Sequence, residues 1–302
     1  MTERLATVRA RFRSELAAAG VPSPQADTDA IMASVLQVPR SRLALSPAAD
    51  DDQLREMAEL VQRRARREPL QHIIGGAAFR HLWLAVGPGV FVPRPETETL
   101  VQVALDFLTE QSGGATTGEP VVAVDLCAGS GAAGLALATE NPNSRVTAVE
   151  LDPAALAWLQ RNAAALEGAL AAVGSEFTIV AGDAAGDPLP ALAGMVDVVI
   201  ANPPYIPTGA VPRDPEVRDY DPTIALYGGP DGMRVVRPLI DVAATLLRPG
   251  GLLAIEHGDE QGEAAEPGAN VPGLMRTHGG FVKVRDVLDL AGRPRVATGR
   301  RS

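Results

Sequence analysis

Cysteine, lysine and aromatic side chains are scarce in this 302-residue chain, and each shortage excludes something. The single cysteine, Cys127, rules out an internal disulfide framework and fits a reducing compartment, so a cytoplasmic protein is expected. Four scattered histidines give, with that cysteine, no zinc-ligand spacing, and no metal is expected. No stretch of about 18 apolar residues suggests a membrane span. Arg4, Arg9, Arg11 and Arg13 recur through the first segment, so a charged-then-apolar leader is not expected either. Lys283 is the only lysine among 27 basic residues, which we read as compositional bias. Net charge is −10: residues 1–80 hold 12 Arg against 10 acidic residues, and the remainder holds 15 basic against 27 acidic. So acidic a chain is poorly suited to gripping nucleic-acid backbone, where cations supply most of the affinity. It also lacks a basic, aromatic-bearing recognition module. A monomer with neither a direct nucleic-acid partner nor a membrane partner is expected.

What is present is a core and a clear change of pattern. Hydrophobic residues make up 46% of the chain, and the length suits one large or two modest domains. Residues 1–75 read as a small helical domain. Leu5, Val8, Phe12 and Leu16 form an amphipathic stripe ended by Gly20. Ser23-Pro24 reads as a helix start favoured by Asp27 and Asp29, and a further helix is expected over about 52–66. Residues 76–93 read as a β-hairpin linker: Phe79, Leu82, Leu84 and Val86, then a turn at Gly87-Pro88-Gly89, then Val90-Phe91-Val92. Pro93-Arg94-Pro95-Glu96-Thr97-Glu98 leads into a helix through Leu108, and Ser112–Gly118 reads as a loop.

From 94 to 302 a third segment is expected, with strands and helices in turn from residue 120. Strands are read at Val121–Asp125, Val146–Glu150, Phe177–Val180, Val196–Ala201 and Leu252–Glu256. Helices are read at Gly131–Thr139, Pro153–Leu166 and Met233–Leu247. Gly250-Gly251 reads as a turn and 261–279 as a loose loop. Such alternation implies an α/β domain with a mostly parallel sheet covered on both faces.

Asn202-Pro203-Pro204-Tyr205 follows the apolar run Val196–Ala201. It puts a side-chain amide and imide carbonyls at one sheet edge. Two oxygen acceptors can grip both hydrogens of a planar –NH2 group, and Tyr205 can stack on its face. Asn202, Pro203 and Tyr205 are therefore the expected catalytic residues, with Pro204 joining them in substrate binding. The arrangement suits methyl transfer to an amide or amino nitrogen.

A second constellation runs from Asp125 through Cys127, Ala128, Gly129, Ser130 and Gly131 to Gly134, between a strand and a helix. Its glycines permit a tight turn and close ligand approach. Glu150 ends the next strand, where its carboxylate can accept from both ribose hydroxyls. Gly129-x-Gly131-x-x-Gly134 also matches a dinucleotide fingerprint, which makes a nicotinamide oxidoreductase a rival. Asp125 argues against it: a carboxylate there repels a pyrophosphate and favours the ammonium group of S-adenosylmethionine. Asp183 and Ala184 follow the third strand and are expected near the adenine, with a plain turn as the equal alternative, and Asn202 adjoins the cofactor as well as the substrate.

With these residues assembled, the chain resembles the release-factor glutamine methyltransferases of HemK type. The resemblance covers nearly the whole length. Glu68-Pro-Leu-Gln-His-Ile-Ile-Gly75, the segment from Pro93 to Glu98, Asp125–Gly131 and Asn202–Ile206 stand in the family's order. Val217–Pro222, Ala225–Gly229, Asp231-Gly232 and Glu256-His257-Gly258 continue it. The Asn-Pro-Pro-Tyr motif alone is shared with adenine and cytosine amino-methyltransferases. A nucleic-acid enzyme and a non-catalytic module that kept the fold therefore remain as alternatives.

The resemblance implies a class I S-adenosylmethionine-dependent methyltransferase fold, seven-stranded with the last strand antiparallel. The N-terminal domain would help to hold the protein substrate, the Gly-Gly-Gln loop of peptide chain release factors, whose glutamine is methylated on its side-chain nitrogen (N5). The chain departs from the family at Cys127, Ala128 and Glu150, and in the Gly- and Pro-bearing stretch Glu266–Gly280, which puts a helix there in doubt. Arg94, Glu96 and Glu98 are expected to pair with each other or to cap the following helix, with direct substrate contact as the alternative. The run Arg63, Arg64, Arg66 and Arg67 is read as a solvated face, with docking to a release factor as the sharper alternative. Tyr220 and Tyr227 line either the pocket or the core. Roles for Cys127 as a nucleophile and His257 as a base are secondary readings.

Overall fold

The computed structural model describes residues 4–45, 48–112, 118–266 and 268–302, so most of the expected loop Ser112–Gly118 lies outside the described residues, as does Pro267. The chain divides into two compact units. One comprises Met1–Gly76, Val86–Pro88 and Val211–Asp221, and the other Ala77–Ala85, Gly89–Ala210 and Pro222–Ser302.

The first unit is helical: α1 (Leu5–Ala18), α2 (Pro24–Leu36), α3 (Asp51–Ala65) and α4 (Leu70–Ile74). The predicted stripe of α1 buries Val8, Phe12 and Leu16 against Ile31, Met32, Met57 and Val61. Each such large side chain contributes roughly 1.5–3 kcal/mol. Pro24 opens α2, although the Ser23 side chain makes no capping bond. Asp50 and Gln53 form a reciprocal capping box at the start of α3. The arginine run is mostly consumed by ion pairs. Arg63 binds Glu68, Arg64 binds Asp27 and Glu216 at 2.7 Å each, and Arg67 binds Glu216. Tyr220 donates its hydroxyl to Arg66 O at 3.0 Å within the same unit.

The second unit begins with a hairpin, and here the sequence reading needs correction. β1 (Gly76–Phe79) pairs with β2 (Leu82–Ala85), so the chain reverses at Arg80-His81 instead of Gly87-Pro88-Gly89. Arg80 adopts a left-handed φ of 51°. It is held there because its N–H donates to Glu98 Oε1 at 2.9 Å while its guanidinium binds Glu140 and Gln102. Val90-Phe91-Val92 enters no sheet; Val90 and Val92 are simply buried.

After a short 3₁₀ turn, Pro95–Thr97, come α5 (Glu98–Ser112), β3 (Val121–Leu126), α6 (Ala132–Glu140), β4 (Ser144–Glu150), α7 (Pro153–Ala172), β5 (Glu176–Ala181) and β6 (Val196–Ala201). Next are α8 (Pro215–Tyr220, in the first unit), α9 (Thr223–Leu226), α10 (Val236–Leu246), β7 (Leu247–Glu256), α11 (Val271–His278), β8 (Phe281–Leu288) and β9 (Pro294–Arg301). The sheet order is β5-β4-β3-β6-β7-β9-β8, with β9 antiparallel to both neighbours. This is the seven-stranded class I methyltransferase arrangement. Its two faces carry separate cores, one centred on Leu100, Leu135 and Ile200 and the other on Val199, Leu239 and Ile255.

Two more expectations fail locally. Gly250-Gly251 does not end an element: β7 runs through it, and the extra residues are absorbed as a register shift between Val196 and Val198 of β6. Residues 271–278, expected within a loose loop, form α11. Asn270 caps that helix by accepting from Gly273 N at 2.7 Å, Pro272 sits in the first turn where no N–H is needed, and Gly279 closes it at φ 76°. Among the described residues no helix is long and apolar enough to cross a membrane.

Candidate active site

Strand register lines up the expected residues along one sheet edge. Leu126 is level with Val149 of β4 and Ala201 of β6, Glu150 is level with Ala181, and Ala201 is level with Ile255. The residues that leave these strands are therefore neighbours in a row: Asp183-Ala184, Glu150, the Cys127–Gly131 loop, Asn202–Tyr205 and Glu256. Ligands of open α/β sheets bind beyond such carboxyl ends.

The loop is built to stay open. Cys127, Gly129 and Gly131 all have positive φ (64°, 57° and 85°). A Cβ at Gly129 would meet nothing within 4 Å, whereas one at Gly131 would strike Leu159 and Leu135, and one at Gly134 would strike Asp125. So the last two glycines serve packing and the first leaves an unfilled cradle. Glu150 is oriented by three backbone donors: Gly129 N–H at 2.7 Å on one oxygen, Leu151 and Asp152 N–H at 2.8 Å on the other. Carboxylate oxygens carry further lone pairs, so an acceptor at ribose position fits. Asp183 Oδ1 accepts from Ala185 N–H at 2.9 Å, which fixes the turn after β5.

Asp125 has a more structural place than expected. It is only 1% exposed, and its Oδ2 accepts from Gly134 N–H at 2.8 Å, tying β3 to α6. Burial lifts its pKa to about 7 against the pull of that bond. Burial, with Glu150, Asp125 and Asp183 nearby, pushes the Cys127 thiol up, which disfavours the thiolate that a nucleophile needs. Sequence reasoning passed over Asn162. This 2%-exposed side chain donates to Ala85 O and Ser130 O and accepts from Ala85 N–H, stapling β2 to the glycine loop. Its only signal was a polar residue on the buried face of α7.

Asn202 follows β6 half-buried, and its Nδ2 donates to Thr97 Oγ1 at 3.2 Å. Thr97 also neighbours the Glu256 carboxyl and favours its charged form. Glu256 is 2% exposed and its pKa rises to about 7 through burial, opposed by the Thr97 hydroxyl and by the Arg295 charge. Burial and the Glu256 charge also raise the Tyr205 phenol, which stays a neutral hydroxyl. Tyr205 is clamped through its backbone: Gln261 Nε2 donates to Tyr205 O at 2.8 Å while Gln261 Oε1 accepts from Gly258 N–H.

The segment Leu226–Gly232 packs directly on Asn202–Tyr205. Ile206 N–H donates to Leu226 O and Gly228 N–H to Ile206 O, both at 2.9 Å. Added Cβ atoms at Gly228 and Gly232 would fall on the carbonyl oxygens of Pro204 and Tyr205 respectively. Tyr227 bridges Ile206 by backbone pairing. Glu96 and Glu98 pair with Arg293 and the Arg80 N–H, not with each other, and Arg94 lies 5.2 Å from the Phe91 ring. His257 is fully buried, its Nδ1 bonded to Gly258 O at 2.8 Å and its Nε2 3.3 Å from Asp286 Oδ1. Its Nδ1 is engaged, its Nε2 has no hydrogen-bond partner among the described residues, and burial lowers its pKa.

Comparison with known proteins bears on this geometry. Residues 7–75 match the PrmC N-terminal domain and residues 98–213 the methyltransferase small domain. The release factor glutamine methyltransferase of Mycolicibacterium smegmatis is 44% identical over 99% of this chain and 98% of its own. The protein of the same name from Streptomyces coelicolor is 46% identical over 97% and 96%. The 4-amino-L-phenylalanine/4-methylamino-L-phenylalanine methyltransferase of Streptomyces pristinaespiralis is 42% identical over 72% of this chain and 69% of its own. Identity at this level across both full lengths, on a fold that brings an Asn-Pro-Pro-Tyr turn beside an open glycine loop, means that the chain belongs to the release factor glutamine methyltransferase family.

Proposed function

We propose that this enzyme transfers a methyl group from S-adenosylmethionine to the side-chain amide nitrogen (N5) of the glutamine in the Gly-Gly-Gln loop of peptide chain release factors. The observation that carries this reading is the register of β3 and β6, which sets Asn202 next to the Cys127–Gly131 loop. Glu150 would hold the ribose, Asp183 and Ala184 the adenine, and Cys127, Ala128, Gly129, Ser130 and Gly131 the rest of the cofactor, with Asn202 beside it. When bound, the cofactor supplies an electrophilic methyl carbon and a neutral thioether leaving group.

An amide nitrogen is a weak nucleophile because its lone pair is delocalised into the carbonyl. Asn202 Oδ1 and the Pro203 carbonyl accept its two hydrogens, and Tyr205 packs with Pro204 on the amide plane. Held so, the nitrogen would favour a pyramidal geometry with its lone pair exposed toward the glycine loop, and the proton it gives up on methylation would pass to solvent. The acceleration comes from placement and preset dipoles. The helical unit, matched over 7–75, would hold the release factor. The chain works as a cytoplasmic monomer that contacts no nucleic acid directly.

The same grip fits any flat primary amine, and a relative named for 4-amino-L-phenylalanine makes a small arylamine the second reading. Incubation with methyl-labelled cofactor and either a release factor, 4-aminophenylalanine or duplex DNA separates the readings. Label on the Gly-Gly-Gln glutamine, located by mass spectrometry, is the expected result. Label in the amino acid or DNA alone would overturn it.

A further inference from the structure

We propose that Gln261 is a positioning residue for methyl transfer: its side-chain amide fastens the Asn202–Tyr205 turn to the turn after β7 and so holds the substrate grip in shape. The inference rests on the function proposed above. It starts from what the grip cannot do for itself. Pro203 and Pro204 have no N–H, so two of the four residues from Asn202 to Tyr205 carry backbone acceptors only. A turn so poor in donors needs partners from elsewhere to fix its carbonyls. Ile206 is tied by backbone bonds to Leu226 and Gly228, but among the described residues no backbone N–H donates to Tyr205 O. Gln261 supplies that donor: its Nε2 lies 2.8 Å from Tyr205 O, while its Oε1 accepts from Gly258 N–H at 3.0 Å.

The partners settle the orientation of this amide. A carbonyl can only accept and a backbone N–H can only donate, so Nε2 must face Tyr205 and Oε1 must face Gly258. Gln261 N–H also donates to Gly258 O at 2.9 Å, which closes the short 3₁₀ turn Asp259–Gln261 on itself. The glutamine is 7% exposed, so water is a poor replacement for it. Two glycines leave it room. A Cβ at Gly232 would lie 2.8 Å from Gln261 Nε2, and one at Gly258 would lie 3.3 Å from Oε1 and 3.6 Å from Tyr205 Cδ2. The Tyr205 ring therefore rests against the same turn that holds its carbonyl. Release of that carbonyl would free the residue that joins the grip to Ile206, and with it the ring and the Pro203 carbonyl that are to seat the substrate amide.

The test compares Gln261→Met, which keeps the length and loses both bonds, with Gln261→Glu. The carboxyl of Gln261→Glu can still accept from Gly258 N–H, but it can donate to Tyr205 O only while protonated. In Gln261→Met, turnover on a release factor should fall about tenfold to a hundredfold, the scale of lost reactant alignment, with S-adenosylhomocysteine affinity within about twofold of wild type. In Gln261→Glu, the ratio of variant to wild-type turnover should climb as pH falls from about 8 to 6, because burial raises the carboxyl's pKa and the added proton restores the donor. A side chain that only filled space would leave that ratio flat, and Gln261→Glu decides the matter if Gln261→Met does not fold. Independent of activity, isotope labelling of tyrosine carbonyls reports on the three tyrosines by NMR. The resonance assigned to Tyr205 by its loss in Tyr205→Phe should move upfield in Gln261→Met. Wild-type turnover in Gln261→Met, a pH-independent ratio in Gln261→Glu, or an unmoved Tyr205 carbonyl would overturn the inference. Absence of label on any release factor with the wild type would instead strike the proposed function, and the same ratios would then be read on whichever amine the wild type methylates.

Discussion

On the proposed mechanism Asn202 grips the substrate through one oxygen, because its nitrogen already donates to Thr97. Replacing Asn202 by Ala removes the acceptor while leaving β6 and the glycine loop intact. We expect S-adenosylhomocysteine binding by calorimetry to be nearly unchanged and turnover to fall by about 10² or more, comparable to losing one preset transition-state contact. Gly232→Ala attacks the same turn from behind. Its new Cβ would fall on the backbone oxygen of Tyr205 and against Gln261 Nε2, at a position of φ 78°. A cost of about 1–3 kcal/mol in thermal unfolding is expected, with a larger loss of turnover than of cofactor affinity. The sequence announced both glycines through the motif they belong to. It did not give the reason, which is that Pro204 and Tyr205 approach closely enough to forbid a side chain.

The elements were legible where local chemistry and tertiary packing agree. The α1 stripe, the Pro153 helix start and the β6 run are cases of periodicity and capping with nothing opposing them. α11 was missed because Gly and Pro flank it on a stretch of weak periodicity, and the Asn270 cap was overlooked. Its stability therefore leans on that cap: Asn270→Ala should cost about 1 kcal/mol, seen as faster hydrogen exchange over residues 271–278 with turnover retained. The hairpin turn was misplaced because Arg80 is an improbable residue for left-handed backbone. Only Glu98, Gln102 and Glu140, brought from α5 and α6, make it tenable.

Across the protein, buried carboxyls set a pH dependence opposite to that of its ion pairs. Glu256 rises from 4.5 to about 7 and Asp125 from 3.8 to about 7. Between those limits the folded state holds protons that the unfolded chain has lost, so stability falls as pH rises through the window. Paired carboxylates such as Glu68 and Glu216 are lowered, titrate below that window and contribute a constant amount within it. His257, lowered by burial, pushes the other way below its ordinary 6.5. The difference between wild type and Glu256→Gln isolates one group. The wild type should lose more stability than the variant between about pH 5 and 8, by on the order of 1–3 kcal/mol. Equal slopes in the two thermal-melt series would refute the assignment.

The sequence by itself determined the strand-helix order, the glycine loop, the acceptor-bearing turn after β6 and the family, because hydrophobic period, turn chemistry and motif spacing are local properties. Tertiary structure decided how those groups are held. It buried Asp125 behind its loop, tied most of the arginine run into ion pairs, buried His257 with its Nδ1 on Gly258 O and brought Thr97 against Asn202. Each of these depends on which side chains meet across elements distant in the chain. No period or motif records that, since a hydrogen bond is specified by both partners and by the burial that excludes water from replacing either.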